Sequence, residues 1–120
     1  MIQTIRRGSL EYLAAEGIAV PHAFTTRFGG VSTDYLSSLN LAPSRGDAPE
    51  NVVKNYTILG DALGFDPKNV VLARQVHSDI VYRAEEKDRG AGLFAPGLPD
   101  CDALVTDVPG LALVVFSADC

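Results

Sequence analysis

The chain has 120 residues, 47% of them hydrophobic and 21% charged, with two cysteines and a net charge of −5. That is enough apolar material for one small domain or a piece of a larger one. The acidic balance argues against nucleic acid as a partner; no apolar stretch is long enough to span a bilayer, and two cysteines are too few for a disulfide framework. Met1 to Arg7 lack the long apolar segment of a secretory leader, so the expected location is the cytoplasm.

Ile2 to Tyr12 mixes apolar and polar residues and reads as a short strand or two. Val20 to Thr26 reads as a strand with Pro21 confined to its start. The paired glycines of Arg27-Phe28-Gly29-Gly30-Val31-Ser32 break it, and Ser37 to Leu41 is a polar loop with two apolar anchors. A helix is predicted from Ala48 to Leu63. Asp47 is its expected N-cap, with Glu50 three residues on in a capping-box-like pattern, and Pro49 suits the first turn. Val52, Tyr56, Leu59 and Leu63 share one face, and Gly64 closes the helix. Val70 to Val76 reads as a strand with Ile80-Val81-Tyr82 as its partner. Glu85 to Pro99 is charged, then rich in Gly and Pro, and its length marks a mobile or functional loop. Asp102 to Thr106 and Leu111 to Ser117 read as strands joined around Pro109-Gly110. The Leu111–Phe116 run lacks polar alternation, which predicts that both its faces are covered. The class is α/β or α+β, with more strand than helix.

His77 and Cys120 are the candidate ligands. Each follows a strand-like run, and neutral imidazole and thiolate both suit a soft or borderline metal. Taken alone, each also fits an ordinary structural histidine or buried thiol, and the gap between them matches no zinc-finger spacing. Arg27 beside Gly29-Gly30 is a candidate anion-binding loop, since glycines let backbone N–H groups approach a ligand; a plain turn with a surface arginine fits equally. Arg45 precedes the helix and is placed to reach a substrate, although the charge of Asp47 repels an anion from the helix end itself. An Asp100-Cys101-Asp102 metal cluster is disfavoured, because on a strand Cys101 points away from its neighbours. His22 is a candidate third ligand, or a pairing residue at a strand start.

In order along the chain stand His22-Ala23-Phe24-Thr25-Thr26-Arg27-Phe28-Gly29-Gly30-Val31-Ser32, Leu39-Asn40-Leu41, Gly46-Asp47 followed by Asn51 and Asn55, Gln75-Val76-His77-Ser78, Asp102-Ala103-Leu104-Val105-Thr106, Pro109-Gly110 and Ala118-Asp119-Cys120. With these the chain resembles the YfiH/YlmD family, also called laccase-domain or polyphenol-oxidase-like, from about His22 onward. Members are described as purine nucleoside phosphorylases with adenosine deaminase activity; earlier labels were multicopper polyphenol oxidase and peptidoglycan editing factor. The resemblance implies a layered sandwich of mixed β-sheets with flanking helices, of which residues 1–120, read as a single domain, form the N-terminal half. It implies a metal, zinc with copper as the alternative, held by His77 and Cys120 and by a later histidine in a His-Ala-Gly-Trp-Arg-Gly motif. This chain has no tryptophan, so that third ligand is missing from it. His77 and Cys120 are the implied catalytic residues, Arg27 and Arg45 the candidates for contacting phosphate or base, and purine nucleoside and phosphate the implied partners. Asp119 is placed either to orient a ligand or to cap the turn after it. The alternatives are a cysteine-dependent amide hydrolase acting on cell-wall precursors, a copper polyphenol oxidase, and an inert fragment or binding module.

Overall fold

The computed structural model describes residues 1–117. The chain forms two compact units, Met1–Gly64 and a second beginning at Phe65. Together their elements give the mixed α/β composition expected, with several small sheets and a single α-helix among the described residues.

In the first unit, three antiparallel strands lie in chain order: β1 (Ile2–Arg7), β2 (Leu10–Ala15) and β3 (Phe24–Thr25). The two-residue turn Gly8-Ser9 sets Arg7 opposite Leu10, and a turn of that length matches the twist of the strands it joins. The same register puts Arg6 opposite Glu11, where the two form an ion pair at 2.9 Å. Along β2 the period of two buries Leu10 and Tyr12. The strand expected over Val20 to Thr26 is shorter than its sequence predicts, because His22 ties the residues ahead of it into a loop. Its Nε2 accepts from the Ala15 N–H at 2.8 Å, so its Nδ1 carries the proton and donates to the Val20 carbonyl at 2.7 Å. With both ring nitrogens engaged, His22 is a structural histidine and not a metal ligand.

The helix α1 spans Pro49–Leu63 and buries Val52, Tyr56 and Leu59 on the predicted face, with Asn55 among them. Gly64 ends it in the left-handed region at φ 88°, its N–H donating to the Gly60 carbonyl, a conformation that costs a residue without a Cβ least. The N-cap is Ala48, with no side-chain cap, rather than Asp47. The Asp47 carboxylate is instead committed to the loops, accepting from the Ser32 hydroxyl, the Asn40 and Asn51 side-chain amides and the Ala48 N–H.

The second unit contains two parallel pairs. β4 (Val70–Leu72) pairs with β7 (Ala112–Val114), and β5 (Val81–Arg83) with β6 (Ala103–Val105). The expected β4–β5 partnership does not form, and β6 and β7 flank the Pro109-Gly110 turn without pairing to each other. Val71, Ala73, Ala84, Ala91, Leu98 and Cys101 make the buried core, with Tyr82, Leu104 and Leu111 against it. Glu85 to Pro99 packs into this core rather than standing off as a free loop. Asp88 is buried and accepts from the Tyr82 hydroxyl and the Glu85 N–H, and Leu98 is buried beyond it. The prediction that both faces of Leu111–Phe116 are covered does not hold: Leu113 is 37% and Val115 56% exposed. β7 is hydrogen-bonded along one edge to β4, and the described residues cover these two side chains only in part.

Candidate functional site

The second unit fixes His77 through its backbone. β5 and β6 run parallel with Val81 opposite Ala103, so the residue ahead of β6, Asp102, lies against the segment ahead of β5. There the Asp102 carboxylate accepts three consecutive backbone N–H groups, from Val76 and His77 on one oxygen at 2.9 and 2.8 Å and from Ser78 on the other at 3.0 Å. Successive amides converging on one anion form a nest, and here the chain's own carboxylate fills it. To present those amides His77 takes a left-handed backbone, φ 61°, a conformation uncommon for a residue with a Cβ and concentrated at functional positions. Further bonds fasten the loop: Cys101 N–H donates to the Arg74 carbonyl, and the Asp102 and Ala103 N–H groups donate to the Ile80 carbonyl. Partial burial pushes the Asp102 carboxyl up, but the hydrogen bonds from Val76, Ser78, His77 and Ile80 outweigh it and hold the pKa below its ordinary value of 3.8. The link from Asp102 to the His77 loop is what the sequence reading missed, while its disfavouring of a metal cluster here agrees with the geometry. Asp102 belongs to no Asp-Cys-Asp cluster: Cys101 is buried in the core, and Asp100 pairs with Arg74.

Gln75, at the head of the same loop, donates from Nε2 to the Phe116 carbonyl, which brings the run that precedes Ala118-Asp119-Cys120 beside the His77 segment. Cys120 and Asp119 themselves lie outside the described residues. Among the described residues no three His, Cys, Asp or Glu side chains converge to hold a metal. His77 is thus the one assigned ligand whose setting is visible, and it is exposed.

The first unit holds the two candidate arginines together. Arg27 and Arg45 line one open cleft of about 400 Å³ with Tyr35, Leu36, Ser37, Leu39 and Asn40. Arg27 donates from Nε to the Ser37 carbonyl at 3.1 Å, its guanidinium carbon lies 6.0 Å from the Phe28 ring centroid, and the Tyr35 hydroxyl donates to the Arg45 carbonyl at 2.9 Å. The glycine pair beside Arg27 is not an anion loop. Gly29 and Gly30 N–H both donate to the Ser38 hydroxyl oxygen at 3.1 Å, and Val31 N–H to Asn55 Oδ1 at 2.8 Å, so those amides are spent inside the protein. The glycines serve close packing: a Cβ on Gly29 would sit 2.3 Å from Leu10 Cα and one on Gly30 2.2 Å from the Ser38 carbonyl oxygen. Asn55 closes the arrangement from α1, its Nδ2 donating to the Ser32 hydroxyl at 2.9 Å and the Asn40 carbonyl at 2.8 Å.

Residues 21–120 match the sequence model of a family described as multi-copper polyphenol oxidoreductase laccase. The crystal structure of Bacillus licheniformis hypothetical protein YfiH superposes with a TM-score of 0.83 at 33% identity, over 95% of this chain and 43% of that one. The chain belongs to the YfiH/YlmD family. YlmD from Geobacillus stearothermophilus gives the same TM-score at 31% identity, over 98% of this chain and 45% of that one. A Deinococcus radiodurans protein named purine nucleoside phosphorylase is 43% identical over 111 residues, 92% of this chain and 40% of the relative. A Corynebacterium glutamicum protein of the same name is 42% identical over 101 residues, 84% of this chain and 39% of the relative. The chain therefore spans about two fifths of the length of these curated family members. No helix among the described residues is long and apolar enough to cross a membrane.

Proposed function

We propose that the protein carrying this chain is a cytoplasmic, metal-dependent purine nucleoside phosphorylase that also deaminates adenosine, and that these residues form the N-terminal portion of its YfiH-like domain. His77 and Cys120 are two of its metal ligands and act in catalysis; Arg27 and Arg45 contact substrate. The names of the relatives supply the substrates, purine nucleoside and phosphate. The observation that carries the reading is the Asp102 nest, which spends three backbone amides and a left-handed residue on fixing one exposed histidine. The bonds fix the main chain that carries the imidazole, and a side chain that is to meet a metal needs a rigid backbone behind it. The Gln75–Phe116 bond supports the pairing of His77 with Cys120, since it ties together the two segments that carry them.

A zinc, or the copper that the family description names, would be held by His77 and Cys120 and would supply a Lewis acid able to activate water near neutral pH. Phosphorolysis forms a bond from a phosphate oxygen to ribose C1′ while the bond from C1′ to the purine breaks; the electron pair leaves with the purine, which takes up a proton. The part played by this chain is to fix the backbone of the His77 loop through Asp102 and to offer guanidinium donors to an oxyanion. Incubation of the purified protein with inosine or adenosine, with and without phosphate, tests the reading. It predicts free base in proportion to phosphate, and one metal per protein by elemental analysis; a metal-loaded protein that liberates no base overturns it.

A further inference from the structure

We propose that the cleft between Arg27 and Arg45 is an oxyanion subsite, and that the oxyanion it takes is the phosphate consumed in the reaction rather than the nucleoside. This rests on the phosphorylase reading for its biological role, but the binding itself stands on the cleft. The chain carries 15 acidic residues against 10 basic ones, and most of its arginines are neutralised. Arg6 pairs with Glu11, Arg74 with Asp100, Arg83 with Asp107 and Arg89 with Glu86. Among the described residues, Arg7, Arg27 and Arg45 lack a carboxylate partner, and two of those three line one cleft.

No carboxylate lines it. Of the acids beside it in the chain, Asp34 precedes Tyr35 without lining the cleft, and Asp47 has its oxygens filled by Ser32, Asn40, Ala48 and Asn51. Asn40 is also spent, on Ala42 and Asp47, which leaves the guanidiniums as the charged donors on the lining, with the Ser37 hydroxyl beside them. Arg27 is braced by the Ser37 carbonyl, so its terminal nitrogens are held ready in a planar fork, the geometry that suits phosphate. The Arg45 backbone is pinned by Tyr35, while its side chain has no hydrogen bond or ion pair to a described residue and so needs to break none to meet a ligand. A cleft of about 400 Å³ exceeds one phosphate and leaves Tyr35, Leu36 and Leu39 as a wall for the sugar to which the phosphate is transferred.

Inorganic phosphate is the probe. Its binding to the metal-loaded protein is followed by ³¹P line broadening, and in parallel the KM for phosphate and for inosine are measured separately. Arg45→Gln, which breaks no contact to a described residue, and Arg27→Gln are expected to weaken phosphate binding by roughly tenfold or more each, the loss of a charge-assisted contact. Both should raise the KM for phosphate far more than that for inosine, and Arg45→Lys should recover part of the loss. Arg7→Gln, an exposed unpaired arginine outside the cleft, should bind phosphate as the parent does. Unchanged phosphate binding in both glutamine variants, or a rise confined to the inosine KM, overturns the proposal while leaving the phosphorylase reading intact. Arginine-dependent phosphate binding in a protein that releases no base supports the subsite and sinks the phosphorylase reading instead.

Discussion

Asp102 decides where His77 sits. Its carboxylate is the common acceptor for Val76, His77 and Ser78, so Asp102→Ala leaves three amides without their anion and releases the left-handed turn. Metal affinity and turnover are expected to fall roughly 10- to 100-fold, the range for losing a group that orients a ligand, with the helix and core of the protein unchanged by circular dichroism. An Asp102→Ala protein that keeps full metal affinity contradicts the role. The same carboxylate sets a pH dependence. Its folded pKa lies below the ordinary 3.8, so the unfolded state takes up the proton more readily. The stability it contributes is present above the ordinary value and is lost as pH falls through the depressed folded one. Protection factors of the Val76, His77 and Ser78 amides, taken relative to the intrinsic exchange rate at each pH, should therefore hold down to about pH 4 and fall below it. A fall in protection already near neutral pH would count against the nest.

At the scale of elements, α1 and the loop ahead of it are joined by side chains rather than by a ladder. Asn55 is fully buried and serves three loop groups: the Val31 N–H, the Ser32 hydroxyl and the Asn40 carbonyl. Asn55→Ala orphans the Val31 N–H and the Asn40 carbonyl at part-buried positions. It should cost about 2–4 kcal/mol in denaturant unfolding, on the order of 1–3 kcal/mol for each stranded group; a cost under 0.5 kcal/mol contradicts the assignment. The helix itself was legible because its period, Pro49 and Gly64 are local signals, and the turn at Gly8-Ser9 is equally local. Its N-cap was misread because Asp47 answers to Ser32 and Asn40, partners that no short-range rule connects. The pairing of β4 with β7 and of β5 with β6 was hidden for the same reason, since parallel partners are set by distant crossovers. With that pairing unknown, nothing in the sequence placed Asp102 against the His77 loop.

On the scale of the whole chain, the family was legible from ordered motifs, and the structure explains why several of them travel together. The Arg27–Ser32 stretch, Leu39-Asn40-Leu41, Asp47, Asn51 and Asn55 form one hydrogen-bonded assembly in the first unit. Gln75–Ser78 and Asp102 form another in the second. A motif that reads as a signature is here a set of mutual hydrogen-bond partners, which is also why the Gly29-Gly30 pair resembled an anion loop without being one. Leu113 in β7 and Val115 just after it stay exposed among the described residues, where an unalternated apolar run predicted cover on both faces. The central claim, that His77 serves a metal-dependent purine nucleoside phosphorylase, is tested most directly by phosphate-dependent release of hypoxanthine from inosine, measured for the protein carrying this chain and its His77→Ala variant side by side. The account predicts release by the parent that rises with phosphate and a loss of at least about a hundredfold in the variant. Equal release by the two proteins, or none from a metal-loaded parent, would contradict it.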